Sequence, residues 1–311
     1  MGVFVFLPLI LPLTAWPMAR LAEHHLHPRA ATQLLAGAGA VLALCSTSCL
    51  VLLAIVGTAQ LPGNPLPDGW ADPEVRAAVP HDEVVGKSAI AALTVAVVTC
   101  SALLLRHRRV RRRTARALRG LPATQVAVLE DETPYAHTLP GNRGAGRIMV
   151  STGMLAALDS QERRALFAHE RAHLDGRHHH YLLMAGLAAR ANPFLRPLRT
   201  SVAYSVERWA DEAAALQVGD RRVTARAVGK AAIISRAAPD PALASFAVPG
   251  PVPRRVAALL NPAPIARIWP PTRTAAGLAA WTAVAGTALS AMSSANAAIT
   301  MIVILHAATP L

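Results

Sequence analysis

The sequence predicts an α-helical polytopic membrane protein with four spans and one α+β domain between the third and fourth spans. Of the 311 residues, 53% are apolar and only 16% are charged, whereas ordinary soluble domains carry about 25% charged residues. Four charge-free apolar stretches are long enough to cross a bilayer, which requires about 20 residues in a helix. The apolar content excludes a disordered chain, and three cysteines in so long a chain exclude a secreted disulfide scaffold.

The predicted spans divide the chain into three regions: a membrane region at 1–105 with spans at about 2–19, 34–59 and 88–105, a domain at 106–273, and a fourth span with a short C-terminus at 274–311. The first stretch has an alternative interpretation as a cleaved signal peptide. It lacks the basic region that precedes the apolar run of a signal peptide, which favours a retained span. Its three prolines would kink the helix, and neighbouring helices can accommodate such a kink.

The net charge of +13 is concentrated after the third span, where residues 106–119 contain eight arginines. Short loops rich in Lys and Arg stay on the cytoplasmic side. We therefore expect a multi-pass protein of the cell membrane, with the 106–273 domain in the cytoplasm and both termini and the 61–87 loop outside. The arginine run adjoins a span and contains no aromatic residues, so we expect it to contact anionic lipids of the bilayer and not nucleic acid.

The domain combines short strands with amphipathic helices. Alternation of β-branched residues predicts strands at 125–131, 136–139 and 147–152. Asp159 followed by Glu162 is typical of a capping box and predicts a helix from about Ser160 to Asp175. Further helices are expected at 154–158, 200–218, 222–237 and 253–260, and the remainder of 239–272 is a proline-rich connector.

The predicted helix from Ser160 contains the motif His169-Glu170-Arg-Ala-His173, or HExxH. Residues four apart lie on one face of a helix, so both imidazoles can bind one ion. Neutral imidazole nitrogen is a preferred ligand of Zn²⁺. Glu170 then lies beside the metal, where it can accept a proton from the attacking water. The motif therefore predicts a single zinc ion per chain.

Two residues compete for the place of third ligand. His179 follows Gly176 at the spacing of the metzincin pattern, in which glycine turns the chain so that the last histidine binds. Glu207 lies on the second long helix, with Asp211 on the same face, where it can hold the free N–H of a ligand histidine. We favour Glu207, because a histidine at 179 is unsurprising within the run 178–180 and no clear Met-turn follows.

The stretch from Pro134 to His179, together with Glu207-Arg-Trp-Ala-Asp211, resembles the integral-membrane gluzincin peptidases. The resemblance implies a zincin-like (minigluzincin) metalloprotease domain. Three spans, a cytoplasmic HExxH domain and a fourth span are similar to the BlaR/MecR antibiotic-sensor metallopeptidase family. The HtpX and CAAX-prenyl-protease family shares the motif pair but arranges its spans differently. Members of the BlaR/MecR family typically carry an extracellular penicillin-binding sensor after the fourth span, which we expect to be absent here.

The same resemblance implies zinc-dependent endopeptidase activity at the cytoplasmic membrane face. His169, His173 and Glu207 would bind zinc, Glu170 would be the catalytic base and Asp211 would support a ligand histidine. The strand at 147–152 would be the edge on which a polypeptide substrate lies. A cytoplasmic transcriptional repressor, or the chain itself, is the expected substrate in a signalling role.

Alternative functions and one open role remain at this point. The chain could be an HtpX-like protease for the quality control of membrane proteins, or a non-catalytic signalling protein with a structural zinc site. The presence of Glu170, a potential catalytic base, argues against a structural zinc site, because such a site needs no base. Candidates for stabilising the oxyanion are Tyr204, Arg208 and His137.

Overall fold

The computed structural model describes residues 2–117, 124–139, 146–235, 251–264 and 273–309. The α-helices in these residues are α1 (Leu7–Ile10), α2 (Ala15–His25), α3 (Pro28–Ala59), α4 (Pro73–Ala77), α5 (Asp82–Ala117), α6 (Thr152–Ala157), α7 (Ser160–Asp175), α8 (His178–Ala191), α9 (Arg196–Val218), α10 (Arg221–Ser235), α11 (Val252–Leu260) and α12 (Ala275–Ala307). The strands are β1 (Val126–Leu129), β2 (Ala136–Leu139) and β3 (Arg147–Ser151).

Three helices in the described part of the chain, α3, α5 and α12, are long and apolar enough to cross a membrane. They contain the predicted spans at 34–59 and 88–105 and residues 275–307 of the one at 274–311. Helix α5 continues well beyond residue 105, so most of the arginine run extends a helix and does not form a loop. Residues 118–119 at the end of that run lie outside the described residues.

The first predicted span, at about 2–19, is not one helix. Short 3₁₀ turns at Gly2–Val5 and Leu11–Thr14 alternate with α1 and α2. Pro8 and Pro12 occupy the second position of α1 and of the second 3₁₀ turn, and proline lacks the N–H that an unbroken helix needs. Ser293, near the middle of α12, donates a hydrogen bond to the carbonyl of Phe4. The prediction of four spans is therefore not confirmed, and this segment packs as a broken run against α3 and α12.

Close contact between α3 and α5 depends on two glycines. A Cβ at Gly57 would lie 2.4 Å from the backbone of Gly86, so neither position has room for a side chain. At the same end of the bundle, the indole N–H of Trp70 donates to the hydroxyl of Thr309. The loop between α3 and α5 and the end of α12 thus lie together, the arrangement expected if both are on one side of the membrane.

The sheet has three strands in the order β1-β3-β2. β1 runs parallel to β3, with Val126 opposite Ile148. β2 runs antiparallel to β3, with Thr138 also opposite Ile148. The expectation that the strand at 147–152 is a substrate-binding edge is therefore wrong, because β3 is paired on both sides and has no free backbone groups to offer. Thr152 already belongs to α6, and the edge strand that contacts α7 is β2.

Helix α7 begins with the predicted capping box, in which the side chain of Asp159 accepts from the N–H of Glu162 and the side chain of Glu162 accepts in return. Helices α8 and α9 form an antiparallel hairpin beside it. Their apolar residues, among them Leu198 and Val202, share one buried core with Leu35 and Leu42 of α3. The predicted domain at 106–273 thus packs directly on a predicted spanning helix.

Helices α10 and α11 close the other side of α9. The guanidinium of Arg221 donates to the backbone carbonyls of Ala258 and Leu259, which attaches α11 to the start of α10. The predicted helix at 253–260 is observed as α11, and the end of the predicted helix at 222–237 lies outside the described residues. The same is true of most of the proline-rich connector.

Candidate metal centre

One nitrogen from His169, one from His173 and one carboxylate oxygen of Glu207 lie within 4.8 Å of one another. The Nε2 atoms of the two histidines are 3.1 Å apart. The oxygens of Glu207 lie 3.6 Å from His169 Nε2 and 3.5 Å from His173 Nε2. His169 and His173 are close because they are four residues apart on α7. Glu207 reaches them because α9 packs on α7.

These distances suit a zinc ion. A tetrahedral site with bonds of about 2.0–2.1 Å has ligand atoms about 3.3–3.4 Å apart. Here the two histidine nitrogens are 3.1 Å apart, and each has a different oxygen of Glu207 at 3.5 or 3.6 Å. The charges also fit. Glu170, Glu207 and Asp211 contribute three formal negative charges, and with the histidines counted as neutral, as a metal requires, Arg255 is the one cationic side chain paired with Glu207 and Asp211 among the described residues. A divalent cation would balance the remaining two negative charges.

Asp211 contacts the far side of the first histidine. Its Oδ1 lies 3.1 Å from Nδ1 of His169, off the line of an ideal hydrogen bond, and its side chain is fully buried. Burial alone would lower the pKa of His169, but contacts with Asp211 and Glu207 raise that pKa to about 10. To bind a metal through Nε2, His169 would have to release its extra proton, and Asp211 would hold the remaining proton on Nδ1.

Arg255 also belongs to the site, although the sequence did not predict it. Its guanidinium binds both oxygens of Asp211, at 2.6 and 2.8 Å, and lies 2.8 Å from Glu207. Burial would raise the pKa of Glu207, yet Arg255 and the nearby histidines hold it well below its usual range. The signal in the sequence was slight: Arg255 precedes the buried Leu259 by one helical turn, so the two share the inner face of α11.

His178 supports the second histidine in the way that Asp211 supports the first. Its Nδ1 lies 2.9 Å from Nδ1 of His173. His178 is 1% exposed, and its ring packs on Trp209 with 4.5 Å between the ring centres. Burial lowers the pKa of His178 to about 3 and also lowers the pKa of His173, so both rings are neutral near pH 7. One ring must then donate to the other, and donation from His173 leaves its Nε2 free for a metal.

Glu170 is 8% exposed and lies next to the histidine pair on α7. The hydroxyl of Thr138, on the edge strand β2, donates to Oε2 of Glu170 at 2.5 Å. Thr138 was also missed from sequence, because a threonine in a short strand carries no distinguishing pattern. This contact fixes one carboxylate oxygen of Glu170 and leaves the other to receive a proton.

The structure does not bring His179 into this group. Its ring packs on that of His180, with 4.0 Å between ring centres. Burial and the neighbouring cationic groups lower the pKa of His179 to about 4. Gly176 serves a different purpose from the turn of the metzincin pattern, because a Cβ there would lie 2.3 Å from Nε2 of His178. The glycine makes room for the histidine that contacts His173.

The three oxyanion candidates differ in their surroundings. Arg208 is paired with Glu212 at 2.5 Å, and the ring of Tyr204 lies under the guanidinium of Arg254 at 4.4 Å. His137, on β2, is 8% exposed, and within the described residues neither ring nitrogen has a hydrogen-bond partner. Burial lowers its pKa, while the charge of Glu170 opposes that shift. Of the three, His137 combines a position within electrostatic reach of Glu170 with two ring nitrogens that are unpartnered within the described residues.

The comparisons with known proteins agree with this geometry. Residues 105–196 match the model of peptidase family M48. The matched segment contains the sheet, α7 and α8 but ends before Glu207, and it covers less than a third of the chain. No curated protein and no solved structure gave a significant match. The BlaR/MecR resemblance is not confirmed. The similarity of residues 105–196 to peptidase family M48, together with the histidine and glutamate group, supports a metallopeptidase.

Proposed function

We propose that this chain is a zinc metalloendopeptidase embedded in the cell membrane, which hydrolyses polypeptides at the cytoplasmic face. The observation that carries the proposal is the convergence of His169, His173 and Glu207, with the carboxylate of Glu170 beside them. A zinc ion held there would supply Lewis-acid chemistry, polarising the scissile carbonyl and acidifying a water molecule. The three long apolar helices support the membrane location.

In this proposal the protein residues have separate tasks. Glu170 takes a proton from the attacking water at its free oxygen and passes it to the leaving amine. Thr138 holds the other oxygen of Glu170 in place. His137 donates a ring N–H to the developing oxyanion. Asp211 and His178 orient the two ligand histidines, and they do so without contact with the substrate.

The peptide substrate would lie along β2. This strand is the sheet edge that contacts α7, and it carries both Thr138 and His137. An extended substrate can add to such an edge through main-chain hydrogen bonds. The scissile bond would then pass beside Glu170. Both β2 and β3 contact α7, but only β2 is a sheet edge, so the proposed substrate lies along β2.

The biological substrate is proposed on a separate basis. A cytoplasmic repressor, or the chain itself, follows from the resemblance to sensor-transducer peptidases. The quality-control alternative has structural support, because α8 and α9 pack on α3 and so place the metal group close to the bundle of apolar helices. A substrate that emerges from the bilayer would be close to β2 in that arrangement.

The test uses full-length protein purified in detergent. We expect one zinc per chain by elemental analysis and cleavage of itself or of an unfolded membrane-protein substrate. Glu170→Gln should retain zinc and lose cleavage by about 10²-fold or more, the scale of proton-transfer catalysis. Glu130→Gln, an exposed carboxylate after β1, is the matched control and should behave like the wild type. Unchanged cleavage in Glu170→Gln would refute the catalytic assignment.

A further inference from the structure

A cavity borders α7 at residues 168, 171, 172 and 175, away from the positions of His169 and His173. Its volume is about 600 Å³, and its walls come from the start of α3, from α7, from the α7–α8 turn, from α8 and from α9. None of the residues of the candidate metal centre lines it. The volume lies within the range of about 300–1,000 Å³ typical of small-molecule sites.

The cavity is strongly cationic. Three arginines from three different elements line it, Arg29, Arg171 and Arg177, and the one carboxylate among its lining residues is Asp175. Within the described part of the chain, none of these three guanidinium groups forms an ion pair. Arg29 lies over the indole ring of Trp209, 5.4 Å from the ring centre, which fixes its direction. Converging, unpaired guanidinium groups are suited to binding an anion.

The backbone around Arg177 adds to the positive potential. Arg177 has a φ of 49°, a left-handed conformation that is uncommon for residues other than glycine. Helix α8 begins at the next residue, and no side chain caps its first N–H groups. Arg177 and His180 line the cavity, so the positive end of the helix dipole lies beside it. The turn thus presents a guanidinium and a helix start together.

The position of the cavity along α3 points to the lipid headgroup region. Arg29 and Gln33 both line it, and no charged residue follows Arg29 until Asp68. They therefore stand at the end of an apolar span. His180, also in the lining, lies within electrostatic reach of His107 near the arginine-rich end of α5. Trp209 and Tyr181 are of the residue types that favour the membrane interface.

We propose that this cavity binds the phosphate of an anionic phospholipid, of the phosphatidylglycerol class, at the cytoplasmic face. Arg29, Arg171 and Arg177 would bind the phosphate oxygens, and Asp175 would accept hydrogen bonds from headgroup hydroxyls. The proposal rests on the membrane location proposed above, but it does not depend on peptidase activity.

The test measures binding to full-length protein in a neutral detergent. The probes are short-chain phosphatidylglycerol, short-chain phosphatidylcholine and inorganic phosphate, each followed by calorimetry. We expect saturable binding of phosphatidylglycerol and binding at least about tenfold weaker for the other two. The double variant Arg171→Gln/Arg177→Gln should lower the affinity for phosphatidylglycerol by about 30-fold, since each charge near the surface contributes about a factor of five.

Two further variants test whether a loss of binding comes from the cavity itself, from a general loss of positive charge or from misfolding. Arg112→Gln/Arg113→Gln removes equal charge from α5 outside the cavity and should change the affinity by less than about twofold. Arg171→Lys/Arg177→Lys keeps the charge and should retain most binding. Equal binding of phosphatidylcholine, or an equal loss in the α5 variant, would overturn the proposal. So would a complete loss in the lysine variant with intact thermal unfolding. Phosphate binding as tight as that of the lipid would assign the cavity to a free anion instead.

Discussion

Gly176 and His178 are in such close contact that a single methyl group would disrupt the metal group. A Cβ at Gly176 would lie 2.3 Å from Nε2 of His178 and 3.0 Å from the carbonyl of Ala172. His178 is buried and packed on Trp209, so its ring has little room to move away. A methyl group at position 176 would therefore displace the ring of His178 and change its contact with Nδ1 of His173.

We therefore predict that Gly176→Ala weakens zinc binding. The expected loss of affinity is about 10- to 100-fold, the usual effect of removing support behind a ligand histidine. His178→Ala should give a similar loss. The measurement is a competition titration with a zinc chelator. Gly37→Ala is the control, because a Cβ there meets nothing within 4 Å and should leave the zinc affinity unchanged. Wild-type zinc affinity in both Gly176→Ala and His178→Ala would contradict the role of this contact.

Glu207 and His179 can be distinguished as third ligand by zinc content alone. Glu207→Gln should lose most of the bound zinc, because it removes the charge of a carboxylate whose two oxygens lie 3.6 Å from His169 Nε2 and 3.5 Å from His173 Nε2. His179→Ala should retain zinc, since its ring packs on His180 and not on the group. Elemental analysis of both purified variants decides the matter. The reverse pattern would establish the metzincin arrangement.

Removal of Arg255 should destabilise the fold. The variant Arg255→Gln leaves the fully buried carboxylate of Asp211 without its cation, and breaking a buried pair in this way typically costs about 3–5 kcal/mol. Arg254→Gln is the neighbouring control. That side chain is 49% exposed where it pairs with Glu23, and its loss should cost about 1 kcal/mol or less. The free energy of unfolding, measured with denaturant in detergent, would show no such difference if Arg255 were dispensable.

The hydroxyl of Thr138 should affect catalysis without affecting the metal. Thr138→Val keeps the shape but removes the donor to Glu170. A hydrogen bond to a charged group contributes about 1.5–3 kcal/mol, so we expect kcat to fall by about 10- to 100-fold with zinc content unchanged. Thr138→Ser restores the donor and should recover most of kcat. A valine variant with wild-type kcat would mean that Glu170 is positioned by other contacts.

The sequence was sufficient to identify the groups whose chemistry depends on local spacing. The HExxH motif places two imidazoles on one helix face because the helix repeats every 3.6 residues, and the capping box at Asp159 and Glu162 is equally local. Long charge-free stretches likewise predicted α3, α5 and α12 from composition alone. The first predicted span is not confirmed as a single helix, because it contains prolines that interrupt helices in ways that hydropathy does not register.

Only the tertiary structure decided which distant residues complete the site. Glu207 was one of two candidates until the packing of α9 on α7 brought it to His169 and His173. Arg255 and Thr138 lie far from the motif in the chain. The spacing of Arg255 from Leu259 gives only a slight signal, and the sequence around Thr138 gives none. The strand order, which makes β2 the edge and β3 the centre, is likewise non-local. Local spacing sets the direction of a side chain along its own helix, whereas contacts between elements depend on how their buried faces pack.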